Sequence, residues 1–86
     1  MPALHVVSNP DAVDSCLAAA ADGDTVLFVG DGVFAQHRAG RSGIRFGVLE
    51  GDATARGLEP RSGLTVLTYE GFVAWVASCA KTVTWR

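Results

Sequence analysis

The chain is poor in charge and has no charged run. Charged residues make up 19% of its 86 residues, below the roughly 25% usual for soluble domains. Seven basic side chains face nine acidic ones, and Arg38, Arg41, Arg45, Arg56 and Arg61 are scattered along the middle of the chain. That pattern excludes the continuous cationic patch that direct nucleic-acid binding requires. No apolar run approaches the ~20 residues needed to span a bilayer, so no membrane segment is expected. The opening Met1-Pro2-Ala3-Leu4-His5 has no basic n-region and is not expected to act as a secretory signal. A cytoplasmic protein is the expectation. Cysteine is scarce. Cys16 and Cys79 form no C-x-x-C pair and no metal-ligand spacing, and a structural disulfide is not expected in a reducing compartment. No metal or cofactor is expected. Repeats, low-complexity segments and linkers are also missing, so residues 1–86 read as a single domain.

What is present is apolar residue, at 49% of the chain. A domain of this size hides only roughly 60% of the surface its unfolded chain exposes. The excess predicts apolar surface left over for an interface. The isolated chain is expected to self-associate into homo-oligomers or to be poorly stable without partners.

The elements alternate. Leu4 to Val7 reads as a strand. Asn9 and Pro10 suit the cap and first position of a helix, and Val13, Cys16, Leu17 and Ala20 form its apolar face. Asp22-Gly23-Asp24 is expected to end that helix, with Gly23 as a left-handed cap. Thr25 to Val29 is an apolar run of the kind found in strands covered on both faces. Gly30-Asp31-Gly32 turns the chain into a short helix from Val33 to about His37, and Arg38 to Gly43 is a polar loop. A third strand spans Arg45 to Leu49, and a short helix spans Asp52 to Arg56, stopped by Gly57. Leu64 to Leu67 is a fourth strand. Tyr69 to Ala80 is a helix whose Phe72, Val73, Trp75, Val76 and Cys79 predict burial on more than one side. Thr82 to Thr84 adds a final strand. The result is an α/β fold: a small, doubly wound, mostly parallel sheet of four to five strands with helices on both faces.

Several residues could carry chemistry. Cys16 reads either as a small buried hydrophobe or as a sulfur-carrying thiol, although it lies too far into its helix to gain much from the dipole. Cys79 reads as packing. Gly30-Asp31-Gly32-Val33-Phe34-Ala35 matches G-x-G-x-x-A after a strand, with Glu50 roughly 20 residues on. This is the layout of a nucleotide-binding turn, yet Asp31 sets a negative charge where phosphates would approach. A plain strand-to-helix turn is the other reading. His5 and His37 have no acidic orienter visible in the sequence. His5 reads as a satisfied strand histidine and His37 as a loop histidine. Asp11, Asp14, Asp22 and Asp24 read as structural or solvated.

Leu4-His5-Val6-Val7-Ser8-Asn9-Pro10 with Cys16-Leu17, Gly23-Asp24 followed by Asp31-Gly32-Val33, and the stretch Val48 to Leu58 occur in a characteristic order. With Tyr69, Phe72-Val73 and Trp85 they resemble the DsrH/TusB family over nearly the whole chain. The resemblance implies a subunit of a DsrEFH- or TusBCD-like sulfur-relay complex, without a cofactor. Its partners would be DsrE/TusD-like and DsrF/TusC-like subunits and sulfur-carrier proteins. The end use would be wobble-uridine 2-thiolation of tRNA or dissimilatory sulfur oxidation. Cys16 falls where DsrH-type members carry a first-helix cysteine and is the candidate persulfide carrier. Two other readings stand beside it: a small ligand- or nucleotide-binding module on the Gly30-Asp31-Gly32 turn, and a purely structural subunit with Cys16 inert.

Overall fold

The structure is a computed structural model that describes residues 2–86. β1 spans Ala3–Val7, and a 3₁₀ turn at Pro10–Ala12 leads into α1, Val13–Ala19. β2 is Thr25–Phe28, followed by a 3₁₀ helix at Gly30–Arg38 and β3 at Arg45–Leu49. α2 is Glu50–Ala55, β4 Thr65–Leu67, α3 Tyr69–Ser78 and β5 Lys81–Trp85.

The five strands are all parallel, in the order β4-β3-β2-β1-β5. The chain winds from β1 out to the β4 edge through α1, the 3₁₀ helix and α2. It then returns through α3 to β5 at the opposite edge. Right-handed crossovers require a reversal of direction to change face, and the packing follows that rule. Val13, Cys16, Val33 and Ala53 from the outward-winding elements cover Val7, Val26, Phe28 and Val48 on one face. On the other face Phe72, Trp75 and Cys79 pack on Leu4, Val6, Leu27 and Leu67. β1 and β2 lie in the middle of the sheet, and all of their residues are buried.

The α/β architecture expected from the alternation is therefore the observed one, and β3 has the expected bounds. Other details differ. The helix opened by Asn9 starts as a 3₁₀ turn, with Asn9 Oδ1 accepting from the Asp11 N–H at 2.9 Å. α1 ends at Ala19, where Ala20 turns to extended backbone, so Gly23 is not its cap. Gly23 has φ +92° in the turn before β2 and donates its N–H to the Gly43 carbonyl at 2.7 Å. The segment after β2 is 3₁₀ throughout, α2 begins at Glu50, and α3 stops at Ser78.

The largest correction concerns α3. Its apolar circumference predicted burial on more than one side, yet none of its residues is buried. Tyr69, Val73 and Val76 are 70%, 51% and 37% exposed. Among the described residues α3 is the only helix on its sheet face, so nothing lies against its outer half.

Candidate functional site

α1 presents Cys16 inward. Val13 and Cys16 are its buried residues, and Cys16 has 0% exposure. Burial pushes the thiol from 9.0 up to about 11, and the Asp24 carboxylate adds in the same direction. At neutral pH only roughly one thiol in ten thousand is then ionised. Because the thiolate is the nucleophile, Cys16 in this fold is a closed, protonated thiol. Cys79 follows α3 and is half-buried against the other sheet face. A thiol reagent is expected to modify Cys79 promptly in the native protein. Cys16 should react about a thousandfold more slowly, through opening of the fold. Peptide mapping after timed labelling checks this, and strong denaturant should erase the difference.

His5 does have an acidic orienter. Parallel pairing of β1 with β2 in the register Leu4↔Thr25 brings Asp24, just before β2, beside β1. Asp24 Oδ2 lies 2.9 Å from His5 Nε2 and accepts the Ala21 N–H at 3.0 Å, while Oδ1 accepts the Ala3 N–H at 3.0 Å. From β5, Trp85 Nε1–H donates to His5 Nδ1 at 3.0 Å. Nδ1 must therefore carry the lone pair, so the proton of neutral His5 sits on Nε2 and points at Asp24. The two backbone N–H bonds hold the Asp24 carboxyl down at about 2, helped by His5 and opposed by partial burial. The residues line a cleft of about 390 Å³ at the start of the central strands, with Lys81 at its rim. Both ring nitrogens are engaged, so the group ties β1, β2 and β5 together and offers no free base. The sequence alone places His5 correctly inside a strand. The Asp24 and Trp85 partners need the strand order, which no local signal carries.

The Gly30-Asp31-Gly32 turn is occupied by its own chain. A Cβ on Gly32 would lie 1.9 Å from the Val7 carbonyl oxygen, so this glycine exists for close approach to the end of β1. The Gly30 N–H donates to Asp52 Oδ2 at 2.6 Å, and the Gly32 N–H donates to the Val29 carbonyl at 2.8 Å. Asp31 pairs with Arg56 at 3.0 Å, and Arg56 also donates to the Asp52 carbonyl at 3.1 Å. Asp52 on α2 and Arg56, the residue that caps its C-terminal end, stand one turn apart and together staple that helix to the turn. A nucleotide phosphate would need free N–H groups and positive potential here. It would meet two carboxylates and amides already bonded. His37 is exposed in the 3₁₀ helix, where its carbonyl accepts from Arg61. Glu50 opens α2 and is exposed.

These features define a small parallel α/β domain with a sealed first-helix cysteine and a glycine turn stapled by α2. The chain matches the family described as DsrH like protein over residues 7–82 and belongs to it. No curated protein matches it significantly. The family places the chain among sulfur-relay subunits in general. Among the described residues no helix is long and apolar enough to cross a membrane, and no cluster of His, Cys, Asp and Glu is placed to hold a metal ion.

Proposed function

We propose that the chain is the DsrH-type subunit of a cytoplasmic sulfur-relay complex. It would assemble with DsrE/TusD-like and DsrF/TusC-like subunits and help pass persulfide sulfur between carrier proteins, toward tRNA 2-thiolation or sulfur oxidation. The family match over residues 7–82 carries the reading. Assembly is supported by the uncovered stripe Tyr69, Val73 and Val76 on α3, an apolar surface of the kind that marks protein interfaces.

Cys16 is the candidate carrier, closed in the free chain and opened when α1 parts from the sheet. The Cys16 thiolate attacks the outer sulfur of a donor persulfide. The donor S–S bond breaks, a new one forms to Cys16, and the donor leaves as a thiolate, so no outside oxidant is needed. The second reading, a structural subunit with Cys16 inert, is favoured by the full burial of that thiol. Intact-mass analysis after incubation with a persulfide donor, with and without the partner subunits, separates the two. A reducible gain of one sulfur mass that is lost in Cys16→Ala identifies a carrier. If Cys16→Ala assembles and passes sulfur at the parent rate, the scaffold reading holds.

A further inference from the structure

β4 and β5 form the edges of the sheet, and they differ. β4 is three residues long and β5 five, and among the described residues no strand lies on the outer side of either. Edge strands invite pairing, and natural proteins block them with proline, a bulge or a charge set inside the strand. β5 reads Lys81-Thr82-Val83-Thr84-Trp85. Its only charge stands at its start, and its β-branched centre suits a further ladder. The register fixes where its backbone groups point. Trp85 stands level with Val7, and its carbonyl accepts the Ser8 N–H at 3.0 Å. Backbone groups alternate sides along a strand, so Val83 also turns its N–H and C=O to β1, and Thr82 and Thr84 turn theirs outward.

Both threonines are exposed. A second copy of β5, run antiparallel with Val83 opposite Val83, uses all of their outward groups. Thr82 then faces Thr84 of the second copy, and each such pair exchanges its N–H···O=C bonds. Val83 falls at the close, non-hydrogen-bonded position, with about 4.5 Å between Cα atoms, where the valines pack on each other. A slide by two residues in either direction would pair one threonine with itself and carry the other past the end of the strand. The side chains agree with the centred register. Thr82 and Thr84 are level with Leu4 and Val6, on the α3 face, while Val83 and Trp85 are level with His5 and Val7, on the α1 face. The pairing sets threonine against threonine on the first face and Lys81 against Trp85 of the second copy on the other, a hydroxyl pair and a cation beside an indole. The strand complements its own reverse.

We propose that β5 pairs antiparallel with β5 of a second copy of this chain, centred on Val83, and joins the two sheets into one. The pairing leaves Cys16 and the α3 stripe untouched and does not rest on the relay reading. The test is sedimentation equilibrium of the full chain together with amide hydrogen exchange at high and low protein concentration. A dimer dissociating at roughly 0.1–1 mM is expected, as for a small, transient interface. Exchange at the Thr82 and Thr84 amides should slow in proportion to the dimer fraction, while the Val83 and Trp85 amides, which face β1, stay the same. Thr84→Pro removes only an outward N–H, at a position where an edge strand tolerates proline, and should weaken association at least about tenfold. If that variant does not fold, exchange in the parent decides alone. A chain that stays monomeric to about 1 mM overturns the proposal. So does a dimer whose Thr82 and Thr84 amides exchange as fast as in the monomer, or protection of them that arises only when other subunits are added. Association that survives Thr84→Pro and is lost in Val73→Lys would lie on α3 and overturn it as well.

Discussion

Asp24→Asn is expected to destabilise the domain by about 2–3 kcal/mol, far more than a surface carboxylate would. The Asp24 carboxylate accepts from the Ala3 and Ala21 backbone N–H groups and faces the His5 Nε2 proton. An asparagine amide has one acceptor oxygen. In either orientation its NH₂ group points at a donor that the carboxylate had satisfied. Leaving such a group unsatisfied costs about 1–3 kcal/mol, more when a charge-assisted bond is lost. The site joins β1 to the start of β2, and Trp85 links the same histidine to β5, so the loss falls on the middle of the sheet. For a domain of this size the midpoint of thermal unfolding should drop by roughly 10–20 °C. Asp14→Asn is the matched control. Asp14 is exposed and, among the described residues, pairs only with the exposed Arg38, and its replacement should stay within about 0.5 kcal/mol. A drop for Asp24→Asn no larger than for Asp14→Asn would mean that the network contributes nothing.

The same carboxylate sets an acid limit. Its backbone hydrogen bonds lower it from the ordinary 3.8 to about 2. Between those values the unfolded chain binds more protons than the native one, so stability falls as pH falls. The contribution of Asp24 is complete above about pH 4 and gone near pH 2. Cys16 sets the opposite limit. Burial raises it from 9.0 to about 11, so the native thiol keeps its proton where the unfolded one has lost it. Its contribution is complete below about pH 9 and fades toward pH 11.

The alternation of elements was legible because each one is written locally. β3 and its bounds follow from five residues between two turns, and the capping role of Asn9 follows from its position before Pro10. Face and partner were not legible. α3 looked buried on more than one side because hydropathy counts apolar residues and does not count the elements available to cover them. The 3₁₀ form of Gly30–Arg38 arises where the turn must pass close to the end of β1, a contact between segments distant in sequence. His5 met its carboxylate and its indole only through the β1–β2 and β1–β5 registers. Cys16 was placed on the inner face of its helix from periodicity alone. The depth of that burial depends on the 3₁₀ helix and on β5, whose Trp85 packs against the same cluster.

Gly32→Ala is expected to cost at least about 3 kcal/mol and, in so small a domain, to leave much of the chain unfolded at room temperature. The added Cβ would fall 1.9 Å from the oxygen and 2.7 Å from the carbon of the Val7 carbonyl. Both atoms are backbone, so no side chain can swing aside. Either the 3₁₀ helix lifts away or the end of β1 moves. That end accepts the Val29 N–H at 3.0 Å, and the next residue, Ser8, donates its N–H to the Trp85 carbonyl at 3.0 Å. Relief of the clash therefore strains the central strand and its edge partner together, at the upper end of what overpacking costs. Gly51→Ala provides the contrast. Gly51 lies in α2 with nothing within 4 Å of an added Cβ, and alanine there should stabilise by up to about 1 kcal/mol through helix propensity. Urea unfolding followed by circular dichroism reads both variants. Opposite signs would show that the glycine in the turn serves backbone contact. A native-like midpoint for Gly32→Ala would free that turn for another purpose and reopen the reading of Gly30-Asp31-Gly32 as a ligand site.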